Sequence, residues 1–205
     1  MRNLSIAVES DVPRVFKEII KKPANLPHAR SMLQYAKEFG MDTTSLWVIG
    51  SPGETWDEIR HTMEVTEDMN SDFTKINIVA PYPGTELLDM AVAGGYLPKD
   101  DDFSKHGWGQ ATISTEEFST DLLTILRAFE WERINFTSET KRKKIAKMIG
   151  VLLDELASIR KKDITGRTSR NRQNPGCELD FQEVDSSRKC GRHISCGVGM
   201  RETST

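Results

Sequence analysis

Along the first hundred residues, short apolar runs alternate with longer stretches in which apolar side chains recur every three or four positions. The runs cover residues 4–8, 42–49 and 73–80, and each has the length and apolar content of a buried strand. They start about 39 and 31 residues apart, a spacing that suits strand–helix–strand crossovers and excludes short hairpins. Between the first two, Val12, Val15, Phe16, Ile19 and Ile20 lie at helical spacing until Lys22-Pro23-Ala24-Asn25 breaks the pattern. A second helix is predicted over residues 27–39, entered at Asn25 or Leu26, with Gly40 as its left-handed stop.

Thr55-Trp56-Asp57-Glu58 has the form of a capping box. The helix it opens carries Ile59, Met63 and Val65 inward and is expected to end near Met69 and Asn70. A short helix over 85–93 closes at Gly94-Gly95, and residues 96–114 read as loop. Two helices follow, over about 115–136 and 138–162. After residue 163 the chain is rich in Arg, Ser, Gly, Asn and Thr; it has too little apolar surface to offset its ordering entropy and reads as disordered.

Three consecutive strand-to-helix units, each with its special residues at the strand's carboxyl end, describe an α/β protein. The expected architecture is a partial (β/α) barrel of the TIM type, with about three units. It occupies residues 1–114, with a helical extension over 115–162 and a tail over 163–205.

Bulk properties narrow the function classes. A chain of 205 residues can bury a sizeable core. The net charge of −3 gives no general attraction to nucleic acid or anionic lipid. No apolar run approaches the roughly 18–20 residues of a membrane span, and the start does not read as a secretory signal. The expected compartment is the cytoplasm. Cys177, Cys190 and Cys196 are odd in number and confined to the tail, which is no disulfide framework. His28, His61, His106 and His193 show no ligand spacing and read as solvated surface. Lys141-Arg142-Lys143-Lys144 precedes Ile145, Met148, Ile149, Leu152, Leu153 and Leu156, so it reads as a solvated helix face.

The candidate chemistry sits at three junctions: Glu9-Ser10, Gly50-Ser51-Pro52-Gly53-Glu54-Thr55, and Pro81-Tyr82-Pro83-Gly84-Thr85. Each has a plain structural reading. Glu9 could cap a helix starting near Asp11, Gly50–Gly53 could be a tight turn, and Glu54 could serve either a site rim or a cap. Thr55 and Glu58 read as caps, and Trp47, Trp56 and Trp131 as packing residues. Trp108, in a Gly-flanked loop, is a candidate to line a channel. The second junction is no phosphate loop, because no Gly-Lys-Ser/Thr follows.

In this order the junctions resemble the C-terminal half of a radical SAM core domain, of the subgroup often fused to a cobalamin-binding domain. The family's Gly-Ile-Glu-Ser appears as Ala7-Val8-Glu9-Ser10, and Ile20-Lys21-Lys22-Pro23 loosely matches an Asn-Lys-Gly element. The family's helix ending in Lys-Glu-x-Gly is present as Lys37-Glu38-Phe39-Gly40; Gly50 to Thr55 and Pro81 to Leu87 then match without loss. The resemblance runs from residue 4 to about 97 and implies a partial barrel that binds S-adenosylmethionine (SAM) at its strand ends.

By that resemblance Glu9 contacts the amino group or ribose of SAM, with Ser10 beside it. Ile49 and Gly50 approach the adenine through backbone atoms, while Pro52, Gly53 and Glu54 shape the rim. Pro81, Tyr82, Pro83, Gly84 and Thr85 close a loop toward substrate. A carboxylate suits an ammonium or ribose hydroxyl, and glycine lets the backbone approach a flat base.

The family also implies a [4Fe–4S] cluster on a C-x3-C-x2-C motif, which delivers the electron that cleaves SAM. No such motif occurs here, so no metal ligand is assigned in this chain. The expectation is a fragment of an enzyme that modifies or methylates an unactivated carbon, with cobalamin as an optional cofactor of the full-length protein. The cluster ligands are expected in a missing N-terminal half, which, or another chain, would cover the first strand. Alternatives are a short non-catalytic protein that binds SAM or a partner, and part of an unrelated barrel such as an aldolase.

Overall fold

The computed structural model describes residues 2–22, 25–97, 102, 107 and 109–161. Three parallel strands, β1 (Asn3–Glu9), β2 (Asp42–Ile49) and β3 (Phe73–Ile78), form one sheet in the order β1-β2-β3. Between them lie α1 (Leu26–Glu38) and α2 (Trp56–Asp68); α3 (Glu86–Ala93), α4 (Thr120–Asn135) and α5 (Glu139–Ile149) follow. Residues 153–161 are helical as well. The alternating α/β pattern is therefore present, with three strands and no closed barrel among the described residues.

The strands show two different faces. Val8, Trp47, Ile49, Ile76 and Ile78 are buried on one, against Ala29 and Leu33 of α1, Ile59, Met63 and Val65 of α2, and Leu123 and Ile134 of α4. Ser5, Ala7 and Lys75 lie on the other face and are exposed; Leu46, Val48 and Asn77 beside them are half-buried. α1, α2 and α4 share one face, whereas Phe73, in phase with Lys75 and Asn77, packs with Phe136, Ile145 and Leu156.

The sheet's two edges also differ. Along β3, Asn135 of α4 imitates a fourth strand: its Oδ1 accepts the Thr74 N–H at 2.8 Å and its Nδ2 donates to the Thr74 carbonyl at 2.9 Å. Arg127 Nε donates to the Ile76 carbonyl at 2.7 Å. No described element pairs with the outer edge of β1.

Caps account for most boundaries. Asn25 caps α1, Thr85 caps α3, and Gly40 takes φ +67° after α1. Thr55 and Glu58 form the expected reciprocal box at α2. Two expectations are corrected. The first helical pattern folds as a π-helical segment, Val15–Ile20, stopped by Lys21 at φ 53°. The final helix, expected unbroken over 138–162, ends at Ile149 because Gly150 adopts φ 76° and closes it.

Lys141–Lys144 is correspondingly less solvated than expected. Lys144 pairs with Asp72 at 2.8 Å, and Lys141 Nζ donates to the Ile134 carbonyl at 2.7 Å. Burial works against the Asp72 carboxylate, but Lys144 and Thr43 still hold it below the usual carboxylate range. No described helix is long and apolar enough to cross a membrane.

Candidate functional site

At the end of β1 the register slips between Ala7 and Glu9, so that Glu9 stands beside Trp47. Glu9 takes φ 67°, a left-handed conformation that costs a non-glycine residue about 1 kcal/mol. Its Oε1 accepts Lys22 Nζ at 2.8 Å. Ser10, fully buried, accepts the Val12 N–H at 3.1 Å and lies 3.4 Å from Thr62 Oγ1 of α2. Ser10, not Glu9, receives the amide at the start of the next segment.

The second junction is a turn wound around Glu54. Gly50 and Gly53 have φ 83° and 78°, and the Glu54 N–H donates to the Ser51 carbonyl at 3.0 Å. Glu54 Oε2 then accepts the Gly50 and Ser51 N–H groups at 2.8 and 2.9 Å. Its Oε1 is buried with no hydrogen-bond partner among the described residues. Burial pushes the carboxyl up to about 7, against the pull of those two amides.

Arg14, which the sequence reading did not single out, holds this turn from outside. It donates to the Gly53 carbonyl at 2.7 Å and from Nε to Glu58 Oε1 at 2.8 Å. That partnership brings the Glu58 carboxyl down to about 2.

The third junction is more open. Pro81 is buried, while Tyr82, Pro83, Gly84 and Thr85 are exposed. Thr85 Oγ1 donates to the Tyr82 carbonyl at 2.7 Å and accepts the Leu88 N–H at 3.3 Å. Gly84 has φ 81°. Adjacent lysines connect this loop to the first: Lys22 pairs with Glu9 and Lys21 with Glu86. No sequence spacing marks either lysine as a partner for those carboxylates.

The candidate residues thus fall into two groups. Ser10, Ile49, Gly50, Pro52 and Glu54 are buried. The Ile49 carbonyl accepts the Val79 N–H at 2.9 Å, and a Cβ added at Gly50 would overlap the Leu123 side chain of α4. Gly53, Tyr82, Pro83, Gly84 and Thr85 are exposed, and Glu9 is half-buried. An added Cβ at Gly53 or Gly84 would meet nothing within 4 Å.

Two features of these positions suit SAM. Glu9 Oε2 makes no hydrogen bond among the described residues, and the backbone is unobstructed at two glycines. An iron–sulfur cluster is not fitted: no described group of three or more His, Cys, Asp or Glu residues could hold a metal ion. Cys177, Cys190, Cys196 and Trp108 lie outside the described residues, and no observation supports cobalamin.

No family model matches the chain. It is 28% identical over 117 residues to a cytidylyl-2-hydroxyethylphosphonate methyltransferase of Streptomyces wedmorensis, covering 54% of this chain and 22% of that protein. It is 32% identical over 90 residues to an uncharacterised methyltransferase of Pyrococcus horikoshii, covering 44% and 19%. A tRNA-2-methylthio-N(6)-dimethylallyladenosine synthase of Methylobacillus flagellatus is 28% identical over 162 residues, covering 77% and 28%. The chain therefore spans about a fifth to a quarter of the length of these relatives. The partial similarities support a radical SAM relationship.

Proposed function

We propose that this chain is the C-terminal part of a radical SAM core whose strand ends form the adenosine and methionine side of a SAM site. The observation that carries this reading is the convergence of three junctions at the carboxyl ends of three adjacent parallel strands. In it, Glu9 receives the ammonium or a ribose hydroxyl of SAM. Gly53 and the backbone near Gly50 flank the adenine, with Pro52 shaping that rim. Glu54, Ile49 and Ser10 act one layer below by fixing the turns that present those atoms. Tyr82, Pro83, Gly84 and Thr85 face substrate, with Pro81 anchoring their loop.

The whole enzyme would couple reductive cleavage of SAM to methyl transfer or another modification of an unactivated carbon. Similarity to methyltransferases supports that reaction class. The [4Fe–4S] cluster would be held by residues outside this chain, in an N-terminal half of the core. Cobalamin, if the whole enzyme uses it, would be bound upstream too.

Titration of the isotopically labelled chain with SAM, followed by amide NMR shifts, tests the site. Saturable shifts confined to residues 8–10, 49–54 and 79–85 are expected in the millimolar range, and Glu9→Gln should weaken them about tenfold, the loss of one charge-assisted contact. A folded chain that shows no shift with SAM, or shifts only on its helix face, would contradict the assignment. The aldolase-type alternative has only the topology in its favour and predicts that null result.

A further inference from the structure

We infer that Arg14 is a positioning residue that makes the first two junctions open and close together. It does so by joining the segment after β1 to the turn around Glu54 and to the start of α2. The coupling stands on geometry alone; its consequence for a ligand rests on the SAM reading above.

The contacts follow a register. Ser10 Oγ lies 3.4 Å from Thr62 Oγ1, and Asp11 Oδ2 lies 3.4 Å from His61 Nε2. Arg14 donates to Glu58 twice, from Nε to Oε1 at 2.8 Å and from Nη2 to Oε2 at 2.5 Å. Residues 10, 11 and 14 thus meet 62, 61 and 58 in reverse order, along one flank of α2. The segment leaving the first junction is therefore docked on the helix that the second junction starts.

Arg14 adds what the other two pairs lack, a bond to the turn itself. Its Nη2 also donates to the Gly53 carbonyl at 2.7 Å. The same peptide unit carries the Glu54 N–H, which donates to the Ser51 carbonyl at 3.0 Å. One end of that unit is held from within the turn and the other from the first junction's segment. Packing does not fix it: Gly53 sits at φ 78°, and a Cβ added there would meet nothing within 4 Å.

Glu58 completes the link. Its Oε2 also accepts the Thr55 N–H at 2.8 Å and Thr55 Oγ1 at 3.1 Å, the groups that open α2. The Glu58 side chain is only 17% exposed, so water competes weakly for the guanidinium. A planar fork can serve Glu58 and Gly53 at once, whereas a lysine ammonium keeps the charge and loses that geometry. A ligand held at the Gly50–Gly53 turn is then felt at Glu9 and Ser10, and the reverse, as linkage requires.

The test compares the full chain with its Arg14→Lys and Arg133→Lys variants. Arg133 is a second guanidinium fork, bonded to Glu130 and Glu67 and to neither junction. Hydrogen exchange without ligand is read at the Val12 amide, held by Ser10 Oγ, at the Glu54 amide, and at the Leu123 amide of α4 as a reference. Arg14→Lys should speed Val12 and Glu54 about fivefold and leave Leu123 unchanged, and Arg133→Lys should speed neither junction. Acceleration at one junction alone or at neither, or an equal rise at Leu123, would overturn the coupling. In the SAM titration, Arg14→Lys should weaken binding about fivefold and Arg133→Lys should not. Equal affinity in the parent and Arg14→Lys would overturn the positioning role. A parent chain that shows no shift with SAM would remove the SAM reading, and the exchange rates would still decide the coupling.

Discussion

Gly50 and Glu54 show how much of the candidate site serves as scaffold. Gly50 combines a positive φ with a side-chain direction filled by Leu123, so it has two independent reasons to lack a Cβ. Gly50→Ala should destabilise the chain by about 2–4 kcal/mol through backbone strain and overpacking of a full core. Urea denaturation checks this, and Gly53→Ala, which has only the strain, should cost clearly less. Equal losses would show that Leu123 yields freely.

Glu54 makes a prediction in pH. Its carboxyl is raised from 4.5 to about 7, so its contribution is most favourable below 4.5 and is lost as pH rises toward 7. Glu58, lowered to about 2, behaves oppositely, and its contribution is lost as pH falls from 4.5 toward 2. Thermal melts of Glu54→Gln should lack the decline between pH 4.5 and 7 seen in the parent, while Arg14→Met should lose the acid-limb protection. Parent and Glu54→Gln melts of identical pH dependence would remove Glu54 from the account.

At the scale of elements, Asn135 is the side chain on which the end of the sheet rests. It is fully buried and satisfies both backbone groups of Thr74 as well as the Trp131 carbonyl. Asn135→Ala leaves a buried N–H and C=O unpaired, at a cost of about 2–4 kcal/mol. Exchange of the Thr74 amide should accelerate more than that of β2. A loss below about 0.5 kcal/mol would mean that water replaces the amide without penalty.

Strands and caps were legible because their signals are local: an apolar run, a Ser, Thr or Asn at a helix entry, a glycine after its end. The capping box at Thr55 needs only four consecutive residues, and it folds as read. The misread elements depend on contacts far along the chain. Nothing local distinguishes the π-helical turn at Val15–Ile20 from an α-helix, and Gly150 sits inside a pattern that looks continuous. The seal at β3 joins Asn135 to Thr74, 61 residues apart, and no periodicity reveals it.

For the molecule as a whole, motif wording located the strand ends but could not sort rim from support. Glu9 and Glu54 look alike in sequence, each an acid beside a strand end. The structure sets Glu9 at a half-buried left-handed position beside Lys22 and folds Glu54 beneath its own turn. The half-open sheet has the same lesson. Among the described residues the β3 edge is occupied by Asn135 and Arg127, and no element pairs with the outer edge of β1. The measurement that bears most directly on this account is the mass and peptide map of the native polypeptide carrying this sequence. A mass well above 23.2 kDa, with upstream peptides that contain C-x3-C-x2-C, is the predicted result. A native product of 23.2 kDa, or a longer one without those cysteines, would contradict it.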